Sequence, residues 1–124
     1  MNYTLEKIPD LELVKATING TLSPEERKEL HAKCVTEANS TGYQRILLDV
    51  QDSVVSSAYT VNDAIDMAEY MKNYELSKKT KFAFLTSGKD SHHKTFTVFA
   101  RIIANMEINY FADYDEAIQW LCQD

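Results

Sequence analysis

Residues 23–50 read SPEERKELHAKCVTEANSTGYQRILLDV, and this stretch decides the fold. Ser23-Pro24-Glu25-Glu26 opens a helix. The serine hydroxyl can accept a first-turn amide, proline suits the first helical position, and Glu26 completes a capping box. Leu30, Cys34, Val35 and Ala38 then follow at helical spacing, and Gly42 can end the helix in a left-handed turn. Ile46-Leu47-Leu48-Asp49-Val50 comes next, an apolar run without period-two alternation. A strand of that kind is covered on both faces, as in a parallel sheet.

Working outward, the same grammar repeats. Upstream, Asn2 to Ile8 alternates, and Pro9-Asp10 is a turn-forming pair. Leu11 to Ile18 then sets Leu11, Leu13 and Val14 against interleaved Glu12 and Lys15, so the two segments read as a hairpin. Downstream, Thr60 to Asp63 forms a second capping arrangement. Val61, Ala64, Ile65, Ala68 and Met71 give the stripe of a helix reaching about Tyr74. Phe82-Ala83-Phe84-Leu85 is another buried strand. Phe96, Phe99, Ala100, Ile103 and Met106 follow at the spacing of a third amphipathic helix. Ile108 to Phe111 is a short strand, and Asp113 to Glu116 caps a last helix carrying Ala117, Ile118, Trp120 and Leu121. Trp120 is expected to be largely buried beside Leu121.

The order is therefore β-β-α-β-α-β-α-β-α: an α/β domain with an opening hairpin and a mostly parallel sheet joined by right-handed crossovers. Few glycines and prolines, and no low-complexity linker, argue for one domain over residues 1–124.

Composition narrows the function classes. The 124 residues include 13 basic and 19 acidic side chains, a formal charge of −6, which disfavours nonspecific binding to nucleic acid or anionic membranes. No apolar run exceeds the length of Phe82 to Leu85, so a helical membrane span is not expected. The N-terminus lacks a basic stretch followed by an apolar core, which points to the cytoplasm. Two cysteines, Cys34 and Cys122, are too few for a disulfide framework or a zinc cage.

In such folds, binding sites gather on the loops leaving the carboxyl ends of the strands. The first is Gln51 to Tyr59, QDSVVSSAY, whose Ser53, Ser56 and Ser57 form a candidate phosphorylation or partner loop. The second is Ser87 to Lys94, SGKDSHHK, whose Ser87, Lys89, Ser91 and His92 form a candidate ligand loop. Ser87-Gly88-Lys89 lacks the paired glycines of a nucleotide-binding phosphate loop. Adjacent His92 and His93 diverge on any regular backbone and have no third ligand at metal spacing, so no metal or other cofactor is expected. Serines of the first loop with His92 and Asp49 could be imagined as a triad, but the GxSxG elbow is missing. Cys34 lies on an apolar stripe, where cysteine usually packs. No coherent catalytic constellation emerges.

Three pieces carry a family resemblance: Ala16-Thr17-Ile18-Asn19-Gly20-Thr21-Leu22 before the SPEE helix, the strand Arg45 to Val50, and the closing Tyr110-Phe111-Ala112-Asp113-Tyr114-Asp115-Glu116-Ala117-Ile118-Gln119-Trp120-Leu121. With these the chain resembles the STAS superfamily, and most closely its SpoIIAA-like branch, which includes uncharacterised bacterial proteins. The resemblance implies a winding of βα turns and a non-enzymatic, protein-binding module of the anti-sigma-factor-antagonist type. In those antagonists a serine of an Asp-Ser-Ser-Gly loop is phosphorylated to switch partner binding. The corresponding stretch here is Val55-Ser56-Ser57-Ala58, which keeps the serines and lacks the aspartate and glycine. Lipid-binding relatives imply the alternative: a small-molecule or lipid carrier, with an apolar pocket near Phe96 and Phe99 and an anion contact from Lys89 or His92. A protein partner, a small apolar or anionic ligand, and a homodimer all stay open.

Overall fold

The computed structural model describes residues 3–21, 23–54, 60–73, 79–87, 98, 101–102 and 104–123. Strand β1 (Tyr3–Ile8) leads through a 3-10 turn (Pro9–Leu11) into β2 (Leu13–Thr21). Helix α1 (Pro24–Thr41), β3 (Arg45–Val54), α2 (Val61–Met71), β4 (Lys81–Leu85), β5 (Glu107–Phe111) and α3 (Tyr114–Leu121) follow. The five strands lie side by side in chain order. β1 and β2 are antiparallel and every later pairing is parallel. The α/β class and mostly parallel sheet expected from sequence are what the structure has.

The local signals act as read. Glu26 donates its backbone N–H to Ser23 Oγ, and Ser23 N–H donates to Glu26 Oε1, both at 3.1 Å. Thr60 and Asp63 make the same reciprocal pair at 2.8 and 3.3 Å. Gly42 adopts φ 79° and its N–H closes on Ala38 O at 2.8 Å, satisfying a helix-end carbonyl.

Two layers of side chains cover the sheet. On one face Val14, Ile46, Phe82 and Ile108 stand in register across four strands. All four are at most 1% exposed, beneath Leu30, Cys34 and Ala38 of α1 and Ala64, Met67 and Ala68 of α2. On the other, Leu13, Leu47, Ala83 and Leu85 meet Ala117 and Leu121 of α3. β3 is thus apolar on both sides because it is buried on both sides. Each large aliphatic side chain so enclosed contributes about 1.5–3 kcal/mol.

Several boundaries differ from expectation. Leu11 belongs to the turn and not to β2, because Glu12 takes a left-handed φ of 49° and returns its N–H to Pro9 O. β2 and β3 both run further than read: after a register shift between Thr17 and Asn19, Gly20 pairs with Ser53 and Thr21 with Val54. α2 ends at Met71; Tyr74 lies outside the described residues. In the expected third helix Val98, Arg101 and Ile102 are helical. Phe96, Phe99, Ala100 and Ile103 lie outside the described residues. Met106 falls beyond that helix, after Asn105 at φ 52°, and packs against the core. Trp120 is half-buried and not largely buried. It stacks at 5.6 Å on Phe111, with Lys81 Nζ 5.1 Å above its ring, while Leu121 and Ala117 take the interior.

Candidate functional site

Parallel strands place their carboxyl ends together: Thr21 of β2, Val54 of β3, Leu85 of β4 and Phe111 of β5. The amino ends of α1 and α2 open at this same end of the sheet, each closed by its capping box. Here the structure places two of the residues singled out from sequence. Ser53 is half-buried within β3, and its hydroxyl donates to Val50 O at 2.8 Å. Ser87 is exposed two residues after Leu85, which pairs with Asp49 of β3. Ser56, Ser57, Lys89, Ser91 and His92 lie outside the described residues. Asp49 is partly exposed, and its Oδ1 accepts from Gln51 backbone and side-chain amides at 3.2 Å each.

Two polar residues behind this end escaped the sequence reading. Arg27 and His31 sit one turn apart on α1 and are only 7% and 3% exposed. The His31 ring lies 6.3 Å from that of Phe84 on β4. Thr86, also buried, continues the line, with its N–H donating to Phe111 O at 2.8 Å. The signal was available. Positions 27 and 31 extend the Leu30–Cys34–Ala38 stripe by one turn, and polar identity hid the periodicity.

Nearby, Lys28 of α1 meets Asp66 of α2 at 2.6 Å, and its Nζ lies 5.4 Å from the Tyr70 ring centre. The Asp66 hydrogen bond raises the Lys28 pKa, so the link between the two helices persists through the neutral range. Cys34 is different. Burial pushes its thiol up to about 12, with Glu37 adding to the effect, which leaves it neutral and unreactive. Among the described residues no three of His, Cys, Asp or Glu gather as metal ligands.

A cavity of about 450 Å³ lies at the opposite, amino end of the strands, lined by Arg45, Lys79, Lys81 and Glu107 among others. Its two strand cations serve α3. Arg45 donates through Nε to Leu121 O at 3.1 Å and through Nη1 to Leu11 O at 2.7 Å. Lys81 Nζ donates to Trp120 O at 3.1 Å and Gln123 O at 2.8 Å. The last turn of α3 carries no basic residue of its own, so its carbonyls are capped from β3 and β4. This is a structural clamp, remote from the loops.

With that geometry in place, the sequence comparison is decisive: the SpoIIAA-like family pattern matches residues 13–122. The chain belongs to the SpoIIAA-like family. A crystal structure of an uncharacterised DUF3478-family protein with a SpoIIAA-like fold, from Shewanella loihica PV-4, superposes with a TM-score of 0.57. It is 18% identical, and the match covers 97% of this chain and 92% of that one. At that identity the likeness speaks for the SpoIIAA-like fold alone. No curated protein matches the sequence. Among the described residues no helix is long and apolar enough to cross a membrane.

Proposed function

We propose that this SpoIIAA-like chain is a non-enzymatic, regulatory protein-binding module of the cytoplasm. Its recognition surface would be the serine loop leaving β3, with Ser56 and Ser57, and Ser53 near the end of the strand before it. The observation that carries this reading is the family match over residues 13–122. The position of the loop supports it, since it runs from the end of β3 at Val54 into the Thr60 cap of α2. A phosphate on Ser56 or Ser57 would add nearly two negative charges within a few residues of that helix's partial positive end. The fold would tolerate the charge while an acidic partner would be repelled.

The test is the Ser56→Asp/Ser57→Asp double variant, with thermal stability and protein capture from host lysate measured together. Loss of one stoichiometric partner at unchanged Tm supports the reading. Equal capture by both forms overturns it.

A second reading is a carrier of a small anionic or lipid-like ligand held at the same end with Ser87, Lys89, Ser91 and His92, favoured by the exposed position of Ser87 just past β4. Native mass spectrometry of protein purified from its own host separates the two: a retained small molecule favours the carrier, a co-purifying protein the module.

A further inference from the structure

A five-stranded sheet has two edges, and this one treats them differently. At the β5 edge, Arg101 Nε donates to Ile108 O at 2.8 Å and its Nη2 to Asn109 Oδ1 at 3.0 Å. The same Asn109 oxygen accepts the Tyr110 N–H at 2.9 Å. Two side chains therefore occupy the backbone groups another strand would need. β1, at the far edge, pairs only with β2, and among the described residues nothing hydrogen-bonds its outer side.

We propose that β1 is the interface with a second copy of this chain. Two copies join antiparallel about a two-fold axis at Leu5, giving one continuous sheet of both molecules. The order of side chains along β1, Tyr-Thr-Leu-Glu-Lys-Ile, is self-complementary in that register. With Leu5 opposite Leu5, Tyr3 faces Lys7 of the second copy and Thr4 faces its Glu6. Sliding the strands by two residues one way sets Glu6 against Glu6, which repels, and sliding them the other way sets Thr4 against Thr4 and pairs only Tyr3 to Leu5. Charge and the length of paired strand together select the Leu5 register.

Helix α1 reports the same symmetry. Lys33 lies over Tyr3, donating to its hydroxyl at 2.7 Å, while Glu37 pairs with Lys7 at 3.8 Å. An axis through Leu5 exchanges the Tyr3 end with the Lys7 end. It therefore brings Lys33 of each copy toward Glu37 of the other, opposite charges in both places. The association is isologous and closed, so it stops at two. A six-residue edge with one flanking helix is a small interface, and the dimer should dissociate in the micromolar range.

Sedimentation velocity of the full chain over that concentration range tests the proposal, with two substitutions of opposite sign. Thr4 is exposed and its β2 neighbour is Thr17, so either change leaves the monomer fold intact. Thr4→Lys meets Glu6 of the second copy twice by symmetry and should tighten the dimer roughly fivefold; Thr4→Glu should weaken it by about the same factor. Separately, Leu5→Cys in a Cys122→Ser background should oxidise to a covalent dimer, whereas Ser40→Cys on the far part of α1 should not. A monomer at every concentration, or a dimer indifferent to the charge at position 4 and not cross-linked through position 5, overturns the proposal. Neither result bears on the serine-loop reading, which does not depend on oligomeric state.

Discussion

Replacing Arg45 with methionine should loosen α3 from the sheet. The guanidinium makes two hydrogen bonds, to Leu121 O and Leu11 O, both partly buried. A charged donor is worth about 1.5–3 kcal/mol to a buried acceptor, and part of that returns when water replaces it, leaving about 1 kcal/mol for each bond. Arg45→Met should therefore cost about 2 kcal/mol. Lys81→Met loses one partly buried and one exposed bond, at Trp120 O and Gln123 O, and should cost about 1 kcal/mol. The paired variant should fall short of the sum, because both cations hold one helix end and its release can be paid for only once. Urea unfolding followed by far-ultraviolet circular dichroism gives the total. Fluorescence of Trp120, the chain's single tryptophan, reports α3 itself, and in the paired variant its transition should precede the dichroism change. A paired variant within about 0.5 kcal/mol of the parent, with coincident transitions, would refute the clamp.

Three further outcomes are expected. In the folded protein at about pH 8 a thiol reagent should label Cys122 and spare buried Cys34, and both should react in urea. Because the Cys34 thiol is raised above its unfolded value, its contribution is intact below the ordinary thiol range and is lost as pH climbs toward about 12. Cys34→Ala should flatten that alkaline fall in an unfolding series. Gly42→Ala should lower stability by roughly 1 kcal/mol in denaturant titration purely through the backbone, since φ is 79° and an added Cβ meets nothing within 4 Å. Trp120→Ala should cost about 2 kcal/mol by the same measurement, below the 3–5 of a fully enclosed aromatic, because its ring is half-buried.

What the sequence disclosed was local. The Ser23–Glu26 and Thr60–Asp63 caps, the Gly42 stop and the two-faced apolar strand β3 each depend on residues a few positions apart, so their order yields α/β with a parallel sheet. What stayed hidden depends on distant neighbours. Glu12 carries no glycine-like signal for its left-handed turn. The extension of β3 to Val54 needs Gly20 and Thr21 on another strand. Trp120 looks like a core residue until Lys81, 39 positions earlier, is seen against its ring and backbone. At the candidate site, Ser87 lies just past β4, whereas Ser53, read as a loop residue, belongs to β3. Arg27 and His31 were not found, because an apolar stripe was sought and the inward face there is polar.

The side-by-side strand order has a consequence for how the chain reaches this state. Among the described residues no strand is inserted between two that came before it; each later strand adds to the exposed margin left by its predecessor. Loop closures are therefore short, and structure can accumulate from the amino end as synthesis proceeds, without waiting for a distant segment to fill a gap. Among the described residues α3 is the helix that seals the second face, over Leu13, Leu47 and Leu85. Until α3 has emerged, that apolar surface stays bare, open to chaperones and to aggregation.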